Sequence, residues 1–458
     1  MKPVSPKVFK AYDIRGIVGK DFDGPWVGRL GRALGAYFLG RGFRDAVVGR
    51  DCRESSPEYA ARLIHGLTAS GVDVIDIGMV ATPIFYYAVT TLKRHAGCII
   101  TASHNPKEYN GFKVWAGETT IHTDEIRAVY ELMASGELPA GRGVASSHDI
   151  TPAYMDALVQ NLESPLDGLK IVVDGGNGAG GEVCAEILRR AGAEVIPLYC
   201  DPDGRFPNHH PDPVVEPYMA DLKAAVTRNG ADAGLGLDGD ADRLGVIDET
   251  GAMVYGDRLL AIYARDMLTR CPGAMVIGDV KSSHLLYKDI SAHGGEPLMW
   301  KTGHSMIKTK LKETGALLAG EMSGHFFFAD RYCGFDDGIY AALRIAEILA
   351  RAKRDGSPPL SRSLDDWPVT SNTPELRIDC PEEKLHGVVE HARRHFRNGY
   401  DVIDVDGVRL TFPDGWALLR ASNTQPALSL RFEAETPERL AEIRALVETP
   451  LARWIAGD

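Results

Sequence analysis

Residues 170–199 read KIVVDGGNGAGGEVCAEILRRAGAEVIPLY, and this stretch decides the fold class. It begins with an apolar, β-branched run, continues through a glycine-rich loop into an amphipathic stretch, and ends in a second apolar run. The same order recurs at 46–78 and at 274–300. Apolar runs that alternate with amphipathic stretches are typical of strands covered by helices on both faces of a sheet. The repeated pattern therefore predicts three related α/β domains.

The last part of the chain follows a different pattern. Residues 354–374 are rich in Pro, Ser and Asp, which is typical of a linker. Runs that alternate polar and apolar residues come next, at 375–380, 416–422 and 427–436, and a helical stretch follows from Pro437. Strands followed by a helix in this way indicate an α+β module.

The length of 458 residues is too great for one hydrophobic core, and it favours about three or four domains. Combined with the repeats and the different tail, it predicts four. We expect three α/β domains over 1–148, 149–250 and 251–366, and an α+β domain over 367–458.

Composition and charge limit the classes of function. The chain is 44% hydrophobic and 25% charged, as expected for a soluble globular protein, and its net charge of −12 argues against binding to nucleic acid or to an anionic membrane. No apolar run approaches the roughly 20 residues that span a bilayer, and the N-terminal residues lack the apolar region of a signal peptide. The seven scattered cysteines include no CxxC pair, which favours reduced packing residues. We therefore expect a cytoplasmic protein.

The stretch GLGLDGDADR, residues 234–243, places Asp238, Asp240 and Asp242 at alternate positions. On a regular strand such residues lie about 6.6 Å apart, which is farther than the oxygen ligands of one small cation. The stretch must therefore curl if it binds a metal, and clustered carboxylates repel one another unless a cation is present. Oxygen ligands favour Mg²⁺, with Ca²⁺ or Mn²⁺ as alternatives. A solvated acidic turn is the simpler interpretation of the same residues.

Two other metal or phosphate motifs share these aspartates. An EF-hand needs Gly where Arg243 stands, and its loop is flanked by helices, whereas these flanks resemble strands. A phosphatase with an aspartyl nucleophile has Thr or Val at the position of Asp242, and it would leave the loop TASHNP, residues 101–106, without a function. Neither motif fits as well as a divalent cation site.

Further polar loops follow predicted strands. TASHNP places Ser103 beside His104, RASNTQP (420–426) offers donors for a phosphate, and GEMSGH (320–325) offers groups for sugar hydroxyls. Each of these loops could equally be an ordinary polar turn. The loops KTGHS (301–305) and AYDIRG (11–16) add basic and aromatic side chains, which are Lys301, His304, Tyr12 and Arg15. Because ligands usually bind at the carboxyl ends of strands and between domains, the whole set indicates one site.

The motifs TASHNP, DGDADR, GEMSGH and RASNTQP together resemble the α-D-phosphohexomutase family, in its phosphomannomutase/phosphoglucomutase branch. The resemblance extends over essentially the whole chain, with the motifs in the order and at the spacing of the family. It implies an α/β fold of four domains around a central cleft, with three related mixed α/β domains and a C-terminal α+β domain.

The resemblance also implies a reaction. Members of this family move a phosphoryl group reversibly between O1 and O6 of mannose or glucose phosphates. The implied carrier is a phosphoserine at Ser103, and the implied intermediate and activator is glucose or mannose 1,6-bisphosphate. One Mg²⁺ per chain would be bound by Ser103, Asp238, Asp240 and Asp242, because a phosphoserine adds about −1.5 to −2 charges to an already acidic cluster.

Other residues receive roles by their match to family positions. Lys113, Arg15 and His325 are implied as catalytic groups for proton transfer. His104 is expected to orient the loop and not to pair with Ser103, since neighbours on an extended loop point apart. The residues implied to bind the sugar or its phosphates are Tyr12, Arg243, Lys281, His304, Glu321, Ser323, Arg420, Ser422, Asn423 and Thr424.

Two positions favour the glucose/mannose branch over glucosamine mutases. Met322 stands where glucosamine mutases usually have Gln, and the phosphate loop reads RASNTQP instead of RASGTEP. The alternatives are a phosphoglucosamine mutase, a metal-dependent sugar-phosphate phosphohydrolase, and a sugar-phosphate binder without catalysis. We expect small hexose phosphates as partners, no nucleic acid or membrane, and a monomer or weak homodimer.

Overall fold

The computed structural model describes residues 2–422 and 427–456. These residues form two compact units. The first contains the chain up to Leu259 together with Ser323–Ser363, and the second contains Leu260–Met322 and the chain from Leu364 onward. No helix among the described residues is both long and apolar enough to cross a bilayer.

The described helices follow the repeated pattern of the sequence. In chain order they are α1 (Gly24–Gly40), α2 (Ser56–Ala69), α3 (Thr82–Thr91), α4 (Asp124–Ser135), α5 (Thr151–Gln160), α6 (Gly181–Arg190), α7 (Ala220–Asn229), α8 (Gly256–Arg270), α9 (His284–Ala292), α10 (His304–Thr314), α11 (Gly338–Asp355), α12 (Glu382–Arg397) and α13 (Pro437–Ala456).

The described strands are β1 (Ile14–Ile17), β2 (Asp45–Arg50), β3 (Asp73–Met79), β4 (Ala96–Ile100), β5 (Tyr109–Ala116), β6 (Thr119–Thr120), β7 (Ala145–Ser147), β8 (Lys170–Asp174), β9 (Glu194–Leu198), β10 (Ala233–Leu237), β11 (Leu244–Asp248), β12 (Met253–Val254), β13 (Met275–Asp279), β14 (Glu296–Trp300), β15 (Leu318–Gly320), β16 (Phe326–Phe328), β17 (Ser371–Asn372), β18 (Leu376–Asp379), β19 (Asp401–Ile403), β20 (Val408–Phe412), β21 (Gly415–Ala421) and β22 (Ala427–Ala434). Up to α11, helices separate single described strands or short successions of them, and after it α12 separates β17 and β18 from β19–β22.

The first unit contains two mixed sheets. One has the strand order β1-β5-β4-β2-β3-β7, in which β2 is parallel to both β3 and β4, while β5 is antiparallel to β4. The other has the order β12-β11-β10-β8-β9, in which β8, β9 and β10 are parallel and β11 is antiparallel to β10. The parallel strands with buried, apolar residues confirm the α/β pattern read from the repeats. The acidic stretch connects β10 to β11 as a hairpin loop.

The second unit contains a parallel set of strands and an antiparallel sheet. The parallel strands have the order β14-β13-β15. The antiparallel sheet has the order β17-β22-β21-β20-β19, with β18 also paired to β22. Residues of α12 and α13, among them Phe396 and Val447, are buried with Leu430 and Phe432 of β22. This is the α+β module that the tail of the sequence predicts.

The predicted linker is shorter than its composition suggests. Helix α11 continues to Asp355, and Ser371–Asn372 pairs with β22 as a short strand. Polar composition cannot distinguish a linker from an edge strand whose hydrogen bonds come from a neighbouring strand. The expected domain bounds near residues 148, 250 and 366 stay predictions.

An aromatic cluster fills the core beneath the first sheet. Phe112 on β5 is fully buried, and its ring lies 5.8 Å from Phe22, 6.3 Å from Tyr59 and 6.4 Å from Trp26, measured between centroids. We expect Phe112→Ala to lower the free energy of unfolding of this unit by about 3–5 kcal/mol, because it removes apolar contact and leaves a cavity. Denaturant unfolding followed by tryptophan fluorescence measures the change.

The matched control is Val144→Ala, because Val144 lies in the same unit and is 70% exposed. It should change the free energy of unfolding by no more than about 0.5 kcal/mol. A Phe112→Ala variant as stable as this control would show that the aromatic cluster does not hold the first sheet.

Candidate active site

The serine loop follows β4 and enters an unusual backbone conformation. Ser103 is buried, and its φ of 49° lies in the left-handed region. This conformation costs a residue with a side chain about 1–3 kcal/mol, so the surrounding structure must hold it. The Ser103 hydroxyl donates a hydrogen bond to Oδ2 of Asp238 at 2.5 Å, and its amide donates to Oγ1 of Thr101 at 3.0 Å. The structure therefore places the predicted phosphoryl carrier directly on the acidic loop.

One prediction about this loop is wrong. Ser103 Oγ and His104 Nδ1 lie 3.0 Å apart, within hydrogen-bond distance, although neighbouring side chains were expected to point apart. The expectation assumed an extended loop, whereas the positive φ of Ser103 turns both side chains to the same side. Burial and the nearby Arg243 and Arg15 guanidinium groups lower the pKa of His104 well below its ordinary value. The orienting role of His104 stays a prediction.

The acidic loop curls as its aspartates require. Ala241 has a φ of 57°, and its amide donates to the carbonyl of Asp238 at 3.0 Å. Asp238, Asp240 and Asp242 are all buried, and each offers a carboxylate oxygen within 4.8 Å of the others. Burial raises the pKa of Asp238 well above its ordinary value, and the charges of Asp242 and Asp240 add to this effect.

This cluster fits a hard divalent cation. Within the described part of the chain, Oδ1 of Asp240 is buried without a hydrogen-bond partner. A buried carboxylate oxygen is costly unless a hydrogen bond or a cation satisfies it. Three converging carboxylates are also the ligand type that Mg²⁺ and similar ions prefer. The residues can therefore hold a metal ion at the Ser103 hydroxyl.

The close approach of the two loops depends on a glycine. A Cβ atom added to Gly239 would lie 2.5 Å from the carbonyl oxygen of Ser103. That distance is far below van der Waals contact, and the obstacle is backbone that cannot rotate away. The Gly in DGDADR thus permits the contact between Ser103 and Asp238.

Lys113 on β5 provides the buried cation of the cluster. Its Nζ lies 2.8 Å from Oδ2 of Asp240 and also forms an ion pair with Asp242. Burial would lower the pKa of Lys113, but the two carboxylates outweigh burial and raise it above the ordinary lysine value.

Thr82 donates from Oγ1 to Oδ2 of Asp240 at 2.6 Å. Sequence reasoning missed Thr82, which carries no motif and reaches the site from the start of α3.

Arg243, His325 and Ser323 form a chain of contacts beside Asp242. Arg243 Nε donates to His325 Nε2 at 3.3 Å, and His325 Nδ1 lies 2.9 Å from Ser323 Oγ. Because the arginine can only donate, His325 accepts at Nε2, and a neutral ring then donates from Nδ1 to Ser323. His325 Nε2 also lies 3.4 Å from Oδ1 of Asp242. The second half of GEMSGH therefore meets the acidic loop within the first unit.

The loop AYDIRG contacts the serine loop. Arg15 donates to Oδ1 of Asn105 at 2.5 Å and pairs with Asp13 at 2.5 Å. Tyr12 precedes them and is half-buried. The positive charge of Arg15 is therefore held next to the turn that carries Ser103.

In the second unit, Asp406 connects two of the predicted loops. Its Oδ2 accepts from the amide of Thr302 at 3.2 Å and from Nε of Arg420 at 3.0 Å. Glu321 Oε1 accepts from the amide of Gly303 at 2.6 Å, so the GEMSGH and KTGHS loops also touch. Sequence reasoning missed Asp406, because a single acidic residue in a turn gives no functional signal.

Three further predicted residues of the second unit differ in their burial. His304 is buried at the start of α10, and Lys301 is exposed. Ser422 is half-buried, and its amide donates to the carbonyl of Ala427 at 2.9 Å. Asn423 and Thr424 lie outside the described residues.

Lys281 is held by a carboxylate that the sequence does not mark. Its Nζ lies 3.3 Å from Oε2 of Glu375, whose other oxygen accepts from Ser429 at 2.8 Å. Burial acts to raise the pKa of Glu375, but Lys281 and Ser429 outweigh it and lower the pKa to about 2. Glu375 therefore stays charged and keeps the ammonium group of Lys281 in place.

Comparisons with known proteins agree on one family. Models of the phosphoglucomutase/phosphomannomutase domains match the chain in order. They are alpha/beta/alpha domain I over residues 6–139, domain II over 152–251, domain III over 255–368 and the C-terminal domain over 375–449.

Relatives cover nearly the whole chain. A phosphomannomutase/phosphoglucomutase from Pseudomonas aeruginosa is 45% identical over 97% of this chain and 95% of its own length. A phosphoglucomutase from Neisseria gonorrhoeae is 44% identical over 97% of this chain and 96% of its own length. The crystal structure of a phosphoglucomutase/phosphomannomutase family protein from Burkholderia thailandensis superimposes with a TM-score of 0.92 at 40% identity, covering 99% of each chain. The chain therefore belongs to the phosphoglucomutase/phosphomannomutase family of phosphohexomutases, with three mixed α/β domains and a C-terminal domain of different architecture.

Proposed function

We propose that this chain transfers a phosphoryl group reversibly between O1 and O6 of glucose and mannose phosphates. The observation that carries the proposal is the contact of 2.5 Å between Ser103 Oγ and Asp238, inside a buried cluster of carboxylates balanced by Lys113. The names of the Pseudomonas aeruginosa and Neisseria gonorrhoeae relatives support the same activity. Substrate class, metal identity and catalytic roles are parts of this proposal.

The reaction consists of two phosphoryl transfers with opposite directions. In the first, the phosphate on Ser103 passes to the free hydroxyl of a hexose phosphate, so a P–O bond forms at the sugar and the bond to Ser103 Oγ breaks. The proton of that hydroxyl moves to a base, for which Lys113, Arg15 and His325 are the groups implied by family position. Despite burial, two carboxylates raise the pKa of Lys113, and a guanidinium can only donate, so Lys113 and Arg15 keep their protons and serve as cationic donors. Of the three, only the imidazole of His325 has a nitrogen that can accept the proton. In the second, Ser103 Oγ bonds to the other phosphorus of the resulting 1,6-bisphosphate, the bond between that phosphorus and the sugar oxygen breaks, and the proton held by the base passes to that oxygen. No phosphate is released to water.

The acidic cluster would hold one Mg²⁺ per chain through Asp238, Asp240, Asp242 and an oxygen on Ser103. When bound, the ion would neutralise charge on the transferring phosphoryl group. Lys113 keeps two of these carboxylates in position by pairing with them. His104, within hydrogen-bond distance of Ser103 Oγ, orients the hydroxyl between the two transfers.

The remaining predicted residues bind the sugar and its far phosphate. Glu321 and Ser323 would hold O3 and O4, which exchange places when the ring turns over. These contacts do not involve the C2 hydroxyl, whose configuration distinguishes glucose from mannose, so the phosphates of both sugars are accepted. The groups that we propose to meet the substrate phosphates are Tyr12, Arg243, Lys281, His304, Arg420, Ser422, Asn423 and Thr424. We further propose that the protein is cytoplasmic and acts as a monomer or weak homodimer.

Replacing the phosphoryl carrier tests the mechanism. We expect Ser103→Ala to lower kcat for glucose 1-phosphate by at least about a thousandfold, because the covalent route is lost while the fold is kept. Intact-mass measurement of the wild type after incubation with glucose 1,6-bisphosphate should show one added phosphate that Ser103→Ala lacks. Ser147→Ala is the matched control, since Ser147 is exposed on β7 and should leave both readouts unchanged. Full turnover by Ser103→Ala would reject the phosphoserine mechanism and favour a phosphohydrolase that releases free phosphate.

Removing the metal tests the role of the acidic cluster. We expect EDTA to abolish turnover, Mg²⁺ to restore it, and calorimetry to detect one Mg²⁺ per chain. Asp240→Asn should weaken Mg²⁺ binding by about tenfold or more, because a carboxylate ligand becomes a neutral amide. Asp124→Asn, which changes an exposed carboxylate at the start of α4, should bind Mg²⁺ like the wild type. Equal Mg²⁺ affinity in all three proteins would place the metal elsewhere.

Comparing substrates tests the branch of the family. We expect kcat/KM for glucose 1-phosphate and mannose 1-phosphate to agree within about tenfold, and glucosamine 1-phosphate to be at least about tenfold poorer than either. Met322→Gln should narrow that gap, since Met322 is a position that distinguishes the branches. A wild type that turns over glucosamine 1-phosphate best would instead support a phosphoglucosamine mutase.

A further inference from the structure

A buried arginine, Arg53, donates hydrogen bonds to the backbone of the serine loop. Among the described residues, the Arg53 guanidinium donates to four carbonyl oxygens of this loop. They are those of Ser103 at 2.8 Å, Asn105 at 2.6 Å, Pro106 at 2.8 Å and Tyr109 at 3.0 Å. Arg53 is 1% exposed, so these bonds form away from bulk water. One planar cation therefore holds both sides of the turn that carries the phosphoryl carrier.

The guanidinium is itself fixed from two sides. Its Nε lies 3.2 Å from Oδ2 of Asp51, and Oδ1 of Asp51 accepts from the Arg53 amide at 3.0 Å and from Ser56 Oγ at 2.5 Å. The ring of Phe206 lies 5.0 Å from the guanidinium carbon, on a loop that follows β9. Arginine suits this position because its donors form a rigid fork, whereas lysine has a single flexible ammonium.

The Ser103 backbone needs such support. Its φ of 49° is unfavourable for a serine, and it is the conformation that brings Oγ to Asp238. Without four donors on the surrounding carbonyls, the loop could relax to an ordinary turn and move the hydroxyl. Within the described part of the chain, the hydrogen bonds of the Arg53 guanidinium go to carbonyl oxygens of the serine loop, so its influence passes through the loop backbone.

The repeated domains place a cation at this position twice. Asp51 directly follows β2 and Asp279 is the last residue of β13, and both are buried. Arg53 and Lys281 each stand two residues farther on. Lys281 pairs with a carboxylate and is proposed to meet substrate, whereas Arg53 turns back onto the neighbouring loop of its own domain. The same repeat position thus serves two different tasks.

We propose that Arg53 is a positioning residue for phosphoryl transfer, which holds the backbone of Ser103 so that Oγ stays at the acidic cluster. The inference rests on the proposed phosphoserine mechanism. Since Arg53 acts on the carrier and not on the sugar, its loss reduces the rate of transfer and leaves substrate affinity in place. Both half-reactions are affected, because both use the same hydroxyl.

The test compares Arg53→Lys with Arg32→Lys. Arg32 is a matched control, because its guanidinium also donates hydrogen bonds to backbone carbonyls of a loop in the first unit, those of Leu138 and Pro139, at 3.0 Å each. We expect Arg53→Lys to lower kcat about 10–100-fold while KM for glucose 1-phosphate changes by less than about twofold. The phosphorylation rate of Ser103 by glucose 1,6-bisphosphate, followed by intact mass, should fall by the same factor. Arg32→Lys should leave all three quantities within about twofold of the wild type.

Two further variants separate positioning from general damage to the fold. Arg53→Ala should regain part of its lost kcat when guanidinium chloride is added at low millimolar concentration, and the same salt should not activate Arg32→Ala. Asp51→Asn keeps an oxygen for the Arg53 amide but removes the charge that fixes the guanidinium. The Asp51→Asn variant should show the same pattern of reduced kcat with unchanged KM. If the Arg53 variants do not fold, this variant alone tests whether Arg53 positions Ser103.

The outcomes distinguish the inference from the function on which it rests. A wild type that is never phosphorylated on Ser103 overturns the proposed function, and the inference with it. A wild type that is phosphorylated, with kcat in Arg53→Lys and Asp51→Asn equal to that of the wild type, overturns the inference alone. A rise in KM at unchanged kcat in these variants also overturns it, because that result would assign Arg53 to substrate binding.

Discussion

The contact between the Ser103 hydroxyl and the buried carboxylate of Asp238 is the constraint on which the rest of the site depends. It brings a strained backbone turn against a cluster of like charges, two arrangements that each cost free energy. Both persist because other groups compensate. Lys113 neutralises part of the acidic cluster, Arg53 satisfies the carbonyls of the turn, and Gly239 leaves room for the two loops to meet. A divalent cation would supply the remaining positive charge.

The same architectural position is reused for different chemistry. In each α/β segment the loops after neighbouring parallel strands lie at one edge of a sheet. The edge of the first sheet carries the serine turn after β4 and the arginine after β2. In the second sheet the acidic loop follows β10, and among the parallel strands of the second unit the loop after β15 carries Glu321. Repetition of one fold thus presents the proposed carrier Ser103, the acidic loop and the proposed sugar contact Glu321 in three successive α/β domains.

The acidic net charge and the proposed anionic substrate are compatible because the basic groups are individually restrained. Lys281 is paired with Glu375 and Arg420 with Asp406. These pairs orient the cations before any phosphate arrives, and each cation retains further donors for it. Preoriented donors can therefore bind a phosphate through charge-assisted hydrogen bonds although the average charge of the chain is negative. Pairing also prevents buried cations from repelling one another in the absence of ligand.

The sequence by itself determined the periodic elements, the family and the residues within recognisable motifs. Strands and helices follow from local patterns, since hydrophobic periodicity acts over short stretches. The curl at Asp238–Asp242 could be predicted only as a condition for binding a metal, because repulsion between the carboxylates by itself opposes it. Only the tertiary structure decided which isolated polar residues meet. Arg53, Thr82, Glu375 and Asp406 belong to no motif, and long-range packing brings them to their partners. The same holds for the contact between Ser103 and His104, because the positive φ of Ser103 accompanies hydrogen bonds to Arg53 and Asp238, which lie far along the chain.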